Sequence, residues 1–153
     1  MYLAIIVLLM GVLPFVSIAL ELVFAAGSAD PVTLIGKWLV FWAVGLRLLI
    51  AGLSQVFKPE TTAGILGMKD TASLIVVREL GFANITLGML GVASLLVPAW
   101  VNAAALAGGL FLGLAGLNHL RKGDRNAKET IAMISDLAIA AILAAYLVAV
   151  ALG

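Results

Sequence analysis

Cysteine is absent from the 153 residues, histidine occurs once, proline four times, and charged residues make up only 11%. Without a thiol there is no disulfide, thiol relay, iron–sulfur cluster or thiolate zinc site, so any redox role needs a bound organic cofactor. The single histidine, His119, cannot alone supply the two-histidine ligation of a membrane haem or the ligand set of a catalytic zinc, and no metal site is read from the sequence. The shortage of charge excludes more. Nine basic and eight acidic residues cannot coat a chain that is 64% hydrophobic with a mean hydropathy of +1.22. A soluble domain, a nucleic-acid partner and a single-span receptor are therefore ruled out, and the chain belongs in a bilayer.

What is abundant is apolar sequence in pieces of spanning length. Runs over 2–26, 38–57, 72–97, 100–120 and 131–152 each approach the roughly 20 residues that cross a hydrocarbon core. Short turns at Pro31, Lys58-Pro59-Glu60, Pro98-Ala99 and Lys122-Gly123-Asp124 separate them. The prediction is an all-α integral membrane protein, a compact bundle of five transmembrane helices forming one membrane domain over 1–153. Small residues at 25–29 imitate a signal cleavage site, yet no basic residue precedes the first run and the run is too long for a signal core, so it is expected to be retained. Lys58, Lys69, Arg121, Lys122, Arg125 and Lys128 fall on one side and Lys37 on the other. The positive-inside rule then places the N-terminus in the cytoplasm and the C-terminus outside, as a multi-pass protein of the cell (inner) membrane. Trp38, Trp42 and Trp100 fall at the outer boundary. Between Lys58 and Thr71 a short interfacial helix is expected, with Ile65, Leu66 and Met68 turned to lipid.

Helices in lipid associate where small side chains let backbones approach. Gly81, Gly88 and Gly91 in the third run, Ala105, Gly108, Gly109, Gly113 and Gly116 in the fourth, and Ala138, Ala141, Ala145 and Ala149 in the fifth are the expected contact faces, within the bundle or toward a second copy.

Ionisable groups inside spans are costly and should face the interior in pairs. The set is Glu21, Arg47, Arg78, Glu79 and Asp136, with Asn84, Asn118 and His119 as polar company. Counting ~1.5 Å per residue from the expected cytoplasmic ends puts Arg47 ~15 Å deep, Arg78 and Glu79 ~10 and ~12 Å, and Asp136 ~9 Å. Similar depths predict two ion pairs, Arg47 with Glu79 and Arg78 with Asp136, either as structural locks or as a ligand or proton site. His119 reads as a boundary anchor or a titrating contact. Glu21 has Lys37 as its one evident partner.

Gly45-Leu46-Arg47, Gln55-Val56-Phe57-Lys58-Pro59-Glu60, Arg78-Glu79-Leu80-Gly81-Phe82-Ala83-Asn84, Asn118-His119 and the late Asp136 together resemble an uncharacterised family of small bacterial and archaeal membrane proteins. That family is similar to the broader DoxX-like group over roughly residues 40–150. The resemblance implies a helical bundle with an arginine in an early span, and an association with quinone-linked membrane oxidoreductase complexes.

Three readings stand side by side. As a binding or accessory module, the chain would hold a lipid or quinone headgroup through Arg47, Arg78 and the neighbouring polar residues, or join a membrane complex or a homo-oligomer. As an enzyme, it would use Glu79 or Asp136 as acid or base on a lipid-soluble substrate. As a carrier, it would pass protons or a small solute along Asp136, Glu79 and Asn84. The absence of a nucleophile–base pair, metal set, phosphate loop or inverted repeat makes the first the primary expectation.

Overall fold

The computed structural model describes residues 2–24, 30–68 and 70–153. The regular elements among them are all helices. They are α1 (Leu3–Phe24), α2 (Pro31–Phe57), the short α3 (Pro59–Ile65), α4 (Thr71–Ala93), α5 (Pro98–Arg121) and α6 (Ala127–Leu152). All but α3 are long and apolar enough to cross a bilayer. The small residues at 25–29 and Lys69 lie outside the described residues.

Capping chemistry, rather than hydropathy, sets the helix starts. α2 begins at Pro31, not near Trp38, because the Asp30 carboxylate accepts the Thr33 N–H and hydroxyl at 2.8 Å each and proline occupies the first turn. Those two bonds hold the Asp30 carboxyl below its ordinary range. α6 begins at Ala127 rather than Ile131, nucleated by a reciprocal capping box between Asn126 and Glu129. Asp70 caps α4 through the Ser73 N–H at 2.8 Å. α4 stops at Ala93, four residues short of the predicted end. The expected interfacial helix is α3, closed by Gly67 at φ 74° with Met68 N–H reaching Ala63 O at 2.9 Å. Met68 is exposed, while Ile65 and Leu66 are half-buried rather than fully turned outward.

α2 is the central helix. Its middle, Val40–Leu46, is wound as a π-helix that ends against Arg47, and Val40, Ala43 and Val44 there have no exposure. α4 runs antiparallel along α2 through a glycine seam in which backbones nearly touch. A methyl group added at Gly52 would come within 2.7 Å of Gly81 O, at Gly88 within 2.5 Å of Leu49 N, and at Gly91 within 2.7 Å of Gly45. The α5–α6 seam is looser at Gly109 and Gly113, where a methyl would meet Leu143 and Ala140 side chains at 3.4 and 3.3 Å, and tight at Gly116, where it would come within 2.7 Å of the Leu137 side chain. Gly108 lies against Val44, and Gly36 against the Tyr146 ring, tying both helices of the α5–α6 hairpin to α2. The fifth-span stripe does not follow the expectation. Ala138, Ala141, Ala145 and Ala149 are exposed, because α6 presents Leu137, Ala140, Leu143 and Tyr146 to its neighbours instead.

Candidate functional site

The α2–α4 seam fixes relative heights. Gly81 packs against Gln55 and Val56, and Asn84 Nδ2 donates to Gln55 Oε1 at 2.6 Å. One turn further toward the α4 N-terminus, Arg78 and Glu79 are therefore level with Phe57 and Lys58, at the end of α2. Arg47, ten residues up α2, is roughly 15 Å away along the bundle. The predicted common level does not form: α4 begins well beyond the end of α2, so depth counted from its own first residue overstates how far its charges enter.

The ion pairs change accordingly. Neither Arg47 with Glu79 nor Arg78 with Asp136 is present; Arg47 pairs with Asp136 through Nη2 and Oδ1, their side chains 13% and 7% exposed. Ser135 Oγ accepts a second contact from the same nitrogen at 3.4 Å, while its hydroxyl donates to Ala132 O at 2.9 Å. Arg47 Nη1 is enclosed with no partner among the described residues. The pair joins central α2 to α6, which the α5–α6 seam places at the height of Leu117, just above Asn118 and His119. Asn118 is exposed and His119 half-buried. Arg78 and Glu79 are both exposed on α4 and enter no ion pair among the described residues. Asn84 is buried but turned into the α2–α4 seam, with no partner for its Oδ1 among the described residues.

Two further polar clusters tie the ends of the bundle. At one end Glu21 accepts Lys37 Nζ at 2.8 Å on both oxygens and Trp38 Nε1 at 2.7 Å, and Trp42 Nε1 donates to Ser17 Oγ at 3.0 Å. Glu21 thus gains the tryptophan as a partner that spacing did not reveal. At the other end buried Glu129 accepts Lys122 Nζ at 2.6 Å. Arg125 Nη1 closes the α5 C-terminus by donating to the carbonyls of His119, Leu120 and Lys122. Asn126 Nδ2 reaches Ile65 O at 2.7 Å, docking α3 under α6 and proving that these two connections share one end of the bundle.

Sequence reading missed Gln55, Ser135 and the Lys122–Glu129 pair. Gln55 carried a usable signal, being an amide two turns beyond Arg47 in an apolar run. Ser135 carried none apart from adjacency to Asp136. Open concavities of about 420 and 240 Å³ lie at the α3 end, lined among others by Thr61, Asn126 and Lys128, and by Glu60, Asp70 and Thr71; neither is lined by Arg47 or Asp136. No group of three or more histidine and acidic side chains able to share a metal ion occurs among the described residues.

Five spanning helices around one buried guanidinium–carboxylate pair define a small multi-pass membrane protein. The chain belongs to a family of unknown function, DUF6790, whose model matches residues 3–152. No curated protein and no solved structure matches it. A relationship to the DoxX-like group is not among the matches.

Proposed function

We propose that the chain is a binding or accessory protein of the cell (inner) membrane, in which Arg47 anchors the polar head of a lipid or quinone entering between the helices. One observation supports this reading: Arg47 is engaged on Nη2 by Asp136 and Ser135 while Nη1 is enclosed and unpartnered. A guanidinium carries five donors in a rigid fork, and a buried donor left unmade costs about 1–3 kcal/mol. An oxygen acceptor on a bound headgroup removes that cost. Asp136 and Ser135 hold the fork in place, so the free edge is presented in one orientation. The resemblance to the DoxX-like group favours a quinone among such acceptors. The basic residues at the α3 end orient the protein with its N-terminus in the cytoplasm and its C-terminus outside.

Catalysis or transport through Asp136, Glu79 and Asn84 is the weaker reading. Glu79 is exposed roughly 15 Å from the height of Arg47 and Asp136, and Asn84 faces a glycine seam, so the three do not make a continuous path. The test is native mass spectrometry of the gently solubilised protein. Wild type is expected to carry a lipid or quinone adduct, and Arg47→Gln/Asp136→Asn, which removes both charges and leaves neither stranded, is expected to lose it at least tenfold. A bare wild-type mass, or an adduct unchanged in the folded double variant, overturns the proposal.

A further inference from the structure

Arg78 and Glu79 are the two spanning-helix charges of the expected cluster that enter no ion pair among the described residues, and they sit on the outer side of α4. That helix packs on α2 along one face, through Val77, Gly81, Asn84 and Gly88. The opposite face carries Ile75, Phe82, Thr86 and Met89, all exposed, at seven-, four- and three-residue intervals that keep them on one side of the helix. At 100° per residue, Arg78 lies on one flank of this stripe and Glu79 on the other.

We infer that α4 pairs with α4 of a second copy of this chain, with Arg78 of each copy bonded to Glu79 of the other. Two copies inserted with the same topology are related by a two-fold axis along the membrane normal, so equivalent residues meet at equal height. Arg78 and Glu79 differ in height by only ~1.5 Å, so a guanidinium and a carboxylate from different copies are level. In a parallel helix pair each flank faces the partner's opposite flank, and a positive flank therefore meets a negative one twice over. The arrangement neutralises both charges at the edge of the hydrocarbon, where each would otherwise have to reach water or headgroups. The outer alanines of α6 offer small residues but no charge that names an occupant. This inference stands independently of any ligand at Arg47.

The test is a charge swap on the full chain reconstituted in liposomes at increasing dilution, with dimer fraction read by single-molecule photobleaching. Wild type is expected to dimerise. Arg78→Glu and Glu79→Arg alone place like charges together and are expected to weaken the dimer about tenfold or more. Arg78→Glu/Glu79→Arg is expected to restore it, which a contact with lipid headgroups or with another protein would not do. Because the chain has no cysteine, Phe82→Cys supplies a second measurement: oxidation is expected to cross-link it, and not Ala141→Cys on α6. A monomeric wild type, single reversals without effect, a swap that fails to restore pairing, or cross-linking at residue 141 in place of 82 overturns the inference.

Discussion

Arg47 with Asp136, and Arg78 with Glu79, are two opposite-charge sets on apolar helices, and the bundle treats them in opposite ways. The first joins α2 to α6 in the interior with one guanidinium nitrogen to spare. The second stays outside, at the height where α2 ends. Helix direction and seam register, not residue type, decide the difference. A charge facing the central helix is sheltered from lipid and must be paired. A charge on the outer side of a peripheral helix near the boundary can be left for water, headgroups or another chain.

The sharpest way to break this contrast is to strand one charge in each set. Asp136→Leu leaves Arg47 buried and unpaired and is expected to lower unfolding stability in bicelles by about 3–5 kcal/mol, with Arg47→Leu/Asp136→Leu recovering most of it. Glu79→Gln, measured at dilutions that keep the protein monomeric, is expected to change stability by no more than about 0.5 kcal/mol. Equal losses at the two positions would show that Glu79 is as buried as Asp136. The register that separates the sets is tested next. Gly88→Ala pushes a methyl into the α2 backbone at Leu49 and is expected to cost about 1–3 kcal/mol, whereas Gly109→Ala meets a side chain at ordinary contact distance and is expected to cost less than about 0.5 kcal/mol.

The smallest effect concerns a carboxylate outside the spans, Asp30, whose exposure makes it a reference for both sets. Its bonds from Thr33 favour the ionised form, so its folded pKa lies below the ordinary 3.8. The cap is therefore complete above that value and is lost as pH falls through the lower folded value. An NMR titration of the Thr33 amide is expected to show a midpoint below 3.8, and Asp30→Asn is expected to abolish the transition. A midpoint at or above 3.8 would mean that the cap does not form in the membrane.

Some of this was legible beforehand. Five apolar runs separated by proline and lysine turns are enough to define the spans, because a bilayer tolerates no unsatisfied backbone and leaves helices as the economical solution. Glycines 81, 88 and 91 were legible as a contact face for the same reason. Helix starts were less so: Thr33 and Lys37 dilute hydropathy at the beginning of α2, and only the Asp30 cap shows that the helix already runs there. Pairing was least legible. Arg78 and Asp136 looked equally deep when each was counted from its own helix end, but α4 extends past α2, and no count along one helix can detect that offset. The alanines of α6 illustrate the same limit, since small residues permit close approach on either face and the larger Leu137 and Leu143 turned out to fill the gaps left by glycines of α5.

By itself, the sequence determined that this protein lives in a bilayer, how many times its helices cross, and which few groups would be costly there. Those are properties of composition and of run length against a fixed hydrocarbon thickness. Tertiary structure alone decided that Arg47 meets Asp136, that Arg78 and Glu79 face outward, and that Glu21 gains a tryptophan. Such outcomes depend on the rotation and axial offset of each helix, which are set by where backbones can touch at glycine and are written in no single segment.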